Sequence, residues 1–315
     1  MRILITGVHG FVGSNLVNLL SKEHVIYGLD IINPQKYGVE KTFSWEELDK
    51  GLIPEIDAII HLAGLAHDTK NKNKAEVYYK VNTELTKTIY DYFLESNANK
   101  FILFSSVKAA IDHVKGDFVD ETVVPAPKGP YGESKRAAEV YLLEKDCERK
   151  AKKKQTYILR PCLILGQKDK GNFQLLFKVV KKGIPWPLGA YDNKRSFMSI
   201  DNLCYIIEGL LTKDVASGIY HVNDDEPLST NELIEVICQV MDKKTRIWHI
   251  SKSIIKLLAK IGDFLHLPLN SERLLKLTEN YISSNKKIKG ALGIENLPVK
   301  TKDGLIMAIE SFKNN

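Results

Sequence analysis

The sequence has few cysteines, no long apolar run and no strong excess of one charge. Its four cysteines form no close pair, and Cys162 and Cys238 lie inside apolar patterns. This usage indicates free thiols in a reducing compartment and excludes a disulfide framework. No apolar run is long enough to span a bilayer, and Met1 leads directly into the first predicted strand. We therefore expect no signal peptide, no stable membrane insertion and a cytoplasmic protein.

The charge balance gives no sign of a nucleic-acid partner. Lys and Arg number 45 against 39 Asp and Glu, a formal net charge of +6 over 315 residues. The main basic cluster, "ERKAKKK" at 148–154, follows a helical pattern and precedes an apolar run. That position predicts a solvated helix end. With 44% hydrophobic residues the chain can bury a full core, which excludes a disordered protein.

Short β-branched runs alternate with longer helical patterns through the first half of the chain. The predicted strands are "RILIT", "HVIYGL", "DAIIHLA", "KFILFSS", "TYILRP" and, much later, "GIYHV". Such alternation predicts an α/β fold with a doubly wound parallel sheet covered by helices on both faces. After Pro161 the alternation fails and Gly, Pro and aromatic residues become frequent. We predict a sheet domain at 1–165 with a returning segment at about 197–224, and a smaller interleaved lobe at 166–196 and 225–315.

Three glycines separate the first predicted strand from the first helix. Gly7, Gly10 and Gly13 in "GVHGFVG" have the spacing G-x-x-G-x-x-G, a modified form of the dinucleotide-binding fingerprint. Gly7 permits a tight turn, Gly10 lets a pyrophosphate approach the backbone, and Gly13 allows close packing of the helix. The second strand then ends in Asp30, whose carboxylate can accept hydrogen bonds from ribose hydroxyls and repels a 2′-phosphate. The pattern favours NAD over NADP.

A second motif carries acid/base residues. "PYGESK" places Tyr131 and Lys135 four residues apart and therefore on one face of a helix. A tyrosine with a pKa of ~10 needs roughly 4 kcal/mol of phenolate stabilisation to titrate near 7, which an ammonium and a cationic nicotinamide can supply. Ser105 and Ser106 end another predicted strand at the carboxyl edge, where ligands bind in such sheets. A serine hydroxyl there can relay a proton to Tyr131.

Together these segments resemble the extended short-chain dehydrogenase/reductase family of NAD-dependent sugar-nucleotide epimerases and dehydratases. The resemblance rests on "GVHGFVG", "IIHLAG", "VN" at 81–82, "FSS", "PYGESK", "LRP" and "RSFMSIDNL", in that order over nearly the whole chain. It implies catalytic Ser106, Tyr131 and Lys135, with no metal. It implies substrate contacts by Ser106, Asn172 and Arg195, the last on a pyrophosphate. The implied cofactor-binding residues are Gly7, Gly10, Phe11, Val12, Gly13, Asp30, Ile31, Leu62, Ala63, Gly64, Asn82, Ser105, Tyr131, Lys135 and Pro161.

Residues near the predicted active site argue against one reaction of that family and leave several others open. Val107 and Lys108 follow the serines where 4,6-dehydratases carry an Asp-Glu pair, which argues against a dehydratase. Ala66 and Leu163 depart from the pattern of galactose epimerases, and the tract after "GNF" resembles a bacterial surface-polysaccharide branch. The resemblance implies a 4-epimerase acting on a UDP-N-acetylhexosamine. The alternatives are an NAD(P)H-dependent reductase of a UDP-4-keto-6-deoxy-N-acetylhexosamine, an epimerase of a polyprenyl-linked sugar, and a dinucleotide sensor without turnover, which the presence of Tyr131 and Lys135 disfavours.

Two surfaces bear on partners beyond the nucleotide-sugar substrate. The family pairs the helices that here hold "VYYKVNTELTKTIYDYF" and "SKRAAEVYLLEKD", so we expect a homodimer. The tract "SIIKLLAKIGDFLHLPL" is the most hydrophobic in the chain and is interrupted by lysines and by Gly262, Asp263 and Pro268. We interpret it as a core or interface helix, with peripheral membrane contact as the alternative.

Overall fold

The structure is a computed structural model that describes residues 1–66, 74–114, 116–166, 172–265 and 270–313. The strands are β1 (Arg2–Thr6), β2 (Val25–Leu29), β3 (Lys41–Phe43), β4 (Ala58–His61), β5 (Lys100–Phe104), β6 (Gln155–Pro161), β7 (Leu163–Leu165), β8 (Lys194–Arg195), β9 (Phe197–Ser199), β10 (Gly218–Val222) and β11 (Leu228–Ser229). The α-helices are α1 (Phe11–Leu20), α2 (Trp45–Asp49), α3 (Ala75–Tyr78), α4 (Leu85–Glu95), α5 (Gly129–Glu144), α6 (Asp146–Ala151), α7 (Asn172–Lys181), α8 (Ile200–Thr212), α9 (Thr230–Val240), α10 (Lys252–Leu265), α11 (Ser271–Thr278), α12 (Lys286–Leu292) and α13 (Thr301–Lys313). A π-helical segment, Tyr79–Glu84, joins α3 to α4, and a 3-10 helix, Val107–Ala109, follows β5.

Seven strands form one parallel sheet in the order β10-β6-β5-β4-β1-β2-β3. The chain builds outwards from β1 to β3 and then returns to the other side of β1 with β4. The carboxyl ends of β1 and β4 therefore flank the point where the strand order reverses, which is where open α/β sheets bind ligands. The predicted doubly wound α/β fold is confirmed.

Helices cover both faces of the sheet. On one face, α1 and α8 pack over β1, β4 and β5, and β10 lies against α12, in a core that includes Leu16, Ile206 and Ile288. On the other face, α4 and α5 cover the strands through residues such as Phe93 and Leu142. Strands buried on both faces need apolar residues at nearly every position, which explains why their sequences read as continuous apolar runs.

A third core lies in the lobe that follows β6. Helices α7, α9, α10 and α13 surround buried residues that include Phe177, Ile237 and Leu305. The chain leaves the sheet after β6, contributes to this lobe, and comes back with α8 and β10. The domain boundaries stay a prediction. Helix α12 packs on strand β10 of the sheet, although the prediction assigns 225–315 to the smaller lobe.

Two residues of the basic cluster at 148–154 differ from the predicted solvated helix end. Lys154 is buried, and its ammonium donates to the carbonyl oxygens of Phe93, Ser96 and Ala98. Arg149 is also buried and donates to the carbonyl oxygen of Lys154. Carbonyl groups at and after a helix C-terminus lack intrahelical partners, so cations satisfy them there. The prediction is confirmed for Lys150, Lys152 and Lys153, which are exposed at the end of α6, and was wrong for Arg149 and Lys154.

Within the described ranges, no helix has the length and apolar character needed to cross a membrane. Cys162, Cys204 and Cys238 are buried free thiols, and Cys147 is exposed.

Candidate active site

The turn between β1 and α1 shows why glycine is needed there. Gly7 has φ +68°, and a Cβ at this position would lie 3.0 Å from the amide nitrogen of Ala63. A Cβ on Gly13 would lie 2.5 Å from the carbonyl oxygen of Gly7, so any side chain there would push α1 away from the turn. Gly10 caps α1 without a side-chain hydrogen bond, and no acidic residue lies in the first helical turn. No acidic side chain of the first turn itself competes for the amides of that turn, which suits an anion site.

A buried chain of hydrogen bonds ties the ends of β1 and β4 to α4. Thr86 donates its hydroxyl proton to the carbonyl oxygen of Asn82, so its oxygen accepts from Nε2 of His61. Burial lowers the pKa of His61 to about 3, with a smaller effect of the Lys135 charge, and the neutral ring leaves Nδ1 to accept from Thr6. The Thr6 oxygen in turn accepts from the amides of residues 62 and 63. These bonds fix the backbone at the strand-order reversal.

Asp30 and Asn82 hold neighbouring parts of the same edge. The Asp30 carboxylate accepts hydrogen bonds from the backbone amides of His9 (3.1 Å) and Ile31 (2.7 Å). It therefore connects the end of β2 to the glycine turn. The Asn82 side chain accepts from the amide of Leu65 and donates to its carbonyl oxygen, which orders the strand end after β4.

Ser106, Tyr131 and Lys135 meet at one cavity of about 430 Å³. Ser106 lies at the end of β5, while Tyr131 and Lys135 lie one helical turn apart on α5. The Lys135 ammonium donates to the carbonyl oxygen of Phe104 at 2.9 Å. The remaining lining residues are Phe11, Val12, Leu62, Gly64, Ala66, Phe104, Ser105, Val107, Lys108, Pro161, Cys162, Leu163, Ile164, Arg195, Ser196, Phe197, Glu279 and Tyr281. The cavity joins the first turn of α1 to these three residues and to Arg195.

Burial sets the protonation of the two α5 residues. It lowers the pKa of Lys135 to about 8, against the opposing effect of the Glu139 charge. It raises the pKa of Tyr131, which the Ser106 hydroxyl acts to lower. The protein by itself thus keeps Tyr131 as a phenol, and stabilising its phenolate requires additional positive charge near the ring.

Sequence reasoning missed the buried charges behind this site. The Glu139 carboxylate, fully buried on α5, accepts from Ser105 (2.6 Å), from Nε (2.8 Å) and Nη2 (2.7 Å) of Arg160 on β6, and from Arg136 (3.0 Å). The buried Glu139–Arg160 pair therefore links α5, which carries Tyr131 and Lys135, to strand β6. Two features of the sequence could have indicated this pair: Glu139 follows Lys135 by four residues, and Arg160 lies inside the apolar strand that ends in "LRP".

The opposite wall of the cavity carries Arg195 from β8. Its Nη2 lies 3.7 Å from Oε1 of Glu279, and its Nε donates to the Glu279 carbonyl oxygen. Glu279 is also paired with His113 at 2.7 Å. Sequence reasoning identified Arg195 but not Glu279 or Tyr281. Asn172 begins α7, and its side chain lies outside the described part of the molecule.

Within the described ranges, no group of three or more His, Cys, Asp or Glu side chains is arranged to hold a metal ion.

Comparisons with known proteins decide the family. The model of the NAD dependent epimerase/dehydratase family matches residues 3–223. The chain belongs to this family. A UDP-glucose 4-epimerase of Vibrio cholerae is 31% identical over 270 residues, covering 77% of this chain and 76% of the relative. An N-acetyl-alpha-D-glucosaminyl-diphospho-ditrans,octacis-undecaprenol 4-epimerase of Escherichia coli O157:H7 is 28% identical over 79% of this chain and 75% of its own length.

Solved structures give the same fold. The UDP-glucuronic acid 4-epimerase of Bacillus cereus, solved with NAD, superposes with a TM-score of 0.75 at 20% identity, covering 100% of this chain and 99% of that one. The expected membership of the NAD-dependent epimerase/dehydratase family is therefore confirmed, and with it NAD as the cofactor and a nucleotide-sugar enzyme as the kind of protein.

For this NAD-dependent family member, Asp30 provides a test of cofactor choice. Replacing Asp30 by asparagine removes the charge while keeping the side-chain size. We expect NAD affinity to fall about tenfold because charge-assisted hydrogen bonds are lost, and discrimination against NADP to shrink because the repulsion disappears. Fluorescence titration with both dinucleotides measures the ratio. Asp49→Asn, at an exposed position on α2, is the matched control, and an unchanged NAD/NADP ratio in Asp30→Asn contradicts the assignment.

Proposed function

We propose that the protein is an NAD-dependent 4-epimerase of a UDP-N-acetylhexosamine, which oxidises the sugar at C4 and reduces it again from the other side. The observation that carries this proposal is the single cavity shared by Tyr131, Ser106 and Lys135, by the start of α1 and by Arg195. In the proposed complex, the sugar of a sugar diphosphate lies at Tyr131 and its diphosphate lies at Arg195.

The residues of the sheet edge fit NAD. The uncapped first turn of α1 suits the dinucleotide diphosphate, Asp30 suits the adenosine ribose, and Lys135 with Asn82 borders the nicotinamide end. NAD held there would supply reversible hydride exchange with C4 and, in its oxidised form, the positive charge that the phenolate of Tyr131 requires.

In this proposal, side chains of the protein bind and transfer the proton of the C4 hydroxyl. Tyr131 in its phenolate form takes the proton of the C4 hydroxyl, and Ser106 holds that oxygen by a hydrogen bond. Lys135 favours the phenolate through its positive charge, and Arg195 anchors the diphosphate. Because Arg195 contacts Glu279, a diphosphate must share or replace that carboxylate on the guanidinium.

An experiment with limiting NAD separates this proposal from a reductase. The purified protein is incubated with UDP-N-acetylglucosamine and NAD far below the sugar concentration, and the sugar is identified by NMR. Conversion to the galacto isomer beyond the NAD supplied supports an epimerase that recycles its cofactor. If no conversion occurs, stoichiometric consumption of reduced nicotinamide with a UDP-4-keto-6-deoxy-N-acetylhexosamine would establish the reductase instead.

A polyprenyl-linked sugar diphosphate is the second candidate substrate. It is favoured by the 28% identical relative whose description names an undecaprenol-linked sugar, and by exposed leucines on α11, next to the cavity. Offering the undecaprenyl-linked and the UDP-linked N-acetylglucosamine in parallel distinguishes the two, because only the accepted donor is converted.

A homodimer through α4 and α5 is part of the proposal. A groove between these helices is lined by residues of both, including Lys87, Ala137 and Tyr141. Light scattering of the purified protein tests the mass, and Ala137→Glu is expected to yield a monomer if this groove is the interface.

The pH profile tests the assignment of Lys135. Burial lowers the pKa of Lys135 to about 8, so the ammonium is present below that pH and is lost as the pH rises through it. We expect kcat/KM to fall above about pH 8. In Lys135→Arg the descending limb should move beyond pH 10, because a guanidinium stays charged. Lys128→Arg, at an exposed position, serves as the control, and an unmoved limb in Lys135→Arg contradicts the role.

A further inference from the structure

Helix α10 turns a large apolar surface away from the protein. Ile255 and Ala259 are buried in the lobe core, yet six other apolar side chains of the same helix are exposed by 42–82%. We define these six as the α10 apolar face: Ile254, Leu257, Leu258, Ile261, Phe264 and Leu265. Their spacing of three and four residues places them on one side of the helix. Monomeric soluble proteins rarely expose an apolar patch above about 600 Å², and six large side chains reach that order.

The charges around the α10 apolar face are those of a helix at an anionic lipid surface. Lys256 and Lys260 are exposed one helical turn apart on the same helix, and Lys260 borders the face through Phe264, four residues on. The single carboxylate of α10, Asp263, is occupied by hydrogen bonds from the amide and hydroxyl of Ser271. A lysine stem can lie along an apolar surface while its ammonium reaches lipid phosphates, so this arrangement favours anionic lipid.

The position of the face supports a lipid surface over a second copy of the chain. Helix α11 starts beside α10, through the contact of Ser271 with Asp263, and has eight residues, a length of about 12 Å. It ends at Thr278, and the next residue, Glu279, contacts Arg195 in the cavity. Leu275 and Leu277 on α11 are exposed as well. The apolar surface therefore continues towards the rim of the candidate active site.

We propose that the α10 apolar face docks the protein peripherally on an anionic membrane surface, with the cavity rim next to the lipid headgroups. The docking is independent of the reaction assigned above, because none of the residues that form it lines the cavity. An amphipathic helix of this kind lies parallel to the membrane surface, with its apolar side chains at the boundary between headgroups and acyl chains.

Vesicle flotation tests the proposal with the full chain. The protein is mixed with vesicles of equal parts phosphatidylglycerol and phosphatidylcholine, and in parallel with vesicles of phosphatidylcholine alone. We expect binding to the anionic vesicles, weakened by high salt, and at least tenfold weaker binding for Phe264→Asp. Lys256→Glu combined with Lys260→Glu should weaken binding only to the anionic vesicles.

The control is Val124→Asp, which places the same charge at an apolar side chain that is 83% exposed and belongs to the sheet domain. It should bind vesicles like the unmodified protein. Absence of vesicle binding, or equal binding by Phe264→Asp, overturns the proposal. If Phe264→Asp instead halves the mass in light scattering and vesicles are never bound, the face is an interface between copies. Flotation requires no turnover, so failure of the proposed reaction leaves this result unaffected.

Discussion

Tyr131→Phe is expected to lower kcat for sugar turnover by about 10³-fold while leaving NAD affinity nearly unchanged. The substitution removes the hydroxyl that the proposed function assigns to proton exchange with the sugar, and positioned acid/base groups contribute about 10²- to 10⁴-fold. The ring itself stays, and with it the edge contact to Tyr78 at 6.5 Å between ring centroids. Steady-state kinetics with the accepted sugar, together with NAD titration, measures both quantities.

Tyr37→Phe is the matched control, because Tyr37 is 98% exposed and loses the same hydroxyl. It should keep the full rate. A Tyr131→Phe protein that is folded, binds NAD and retains most of its kcat would remove Tyr131 from the chemistry. A different result, NAD binding by the unmodified protein without conversion of any sugar offered, would favour the interpretation as a dinucleotide sensor.

The second large effect is expected at the Glu139–Arg160 pair. Arg160→Met leaves the Glu139 carboxylate buried without its two-bonded partner, and breaking a buried ion pair costs about 3–5 kcal/mol of unfolding free energy. Urea unfolding measures the loss. The double variant Glu139→Leu with Arg160→Met should recover part of it, because no charge then remains buried in the pair.

The control for this pair lies on the surface. Arg2 and Glu55 are 3.3 Å apart with exposed side chains, and Arg2→Met should change the unfolding free energy by at most about 1 kcal/mol. A similar small change in Arg160→Met would mean that water or Arg136 compensates the carboxylate. Loss of Arg160 should also raise the pKa of His221, since the guanidinium charge helps burial to lower that pKa to about 4.

The sheet and the cofactor turn could be predicted because their signals are local. The run at Arg2–Thr6, the glycines after it and the Tyr131–Lys135 spacing each depend on neighbours within a few residues, and the structure brings the last two to one sheet edge. Hydrophobic periodicity and turn-forming residues are both recognised from neighbours within a few positions in the sequence.

The buried charges could not be predicted for the opposite reason. Glu139 has Arg136 three residues before it, the usual pattern of a solvated helix pair, and only the packing of α5 on β6 buries it beside Arg160. In the sequence, Lys154 belongs to a basic cluster of the kind that is usually solvated. In the structure, its ammonium donates to a carbonyl oxygen just after the C-terminus of α4. Glu139 and Lys154 each meet partners that are distant in sequence, and hydrophobic periodicity does not predict such contacts.

The late return of β10 to the sheet has a consequence for synthesis on the ribosome. Strand β6 pairs with β5 on one side, but its other edge stays open until Gly218–Val222 has emerged. Helix α8, which covers the β1 face, also arrives only after the first lobe segment has been translated. The nascent N-terminal half thus carries an unpaired edge and an uncovered apolar face, the features that promote aggregation and chaperone binding. A chain released before β10 should be captured by chaperones, whereas one that extends past it can close the sheet.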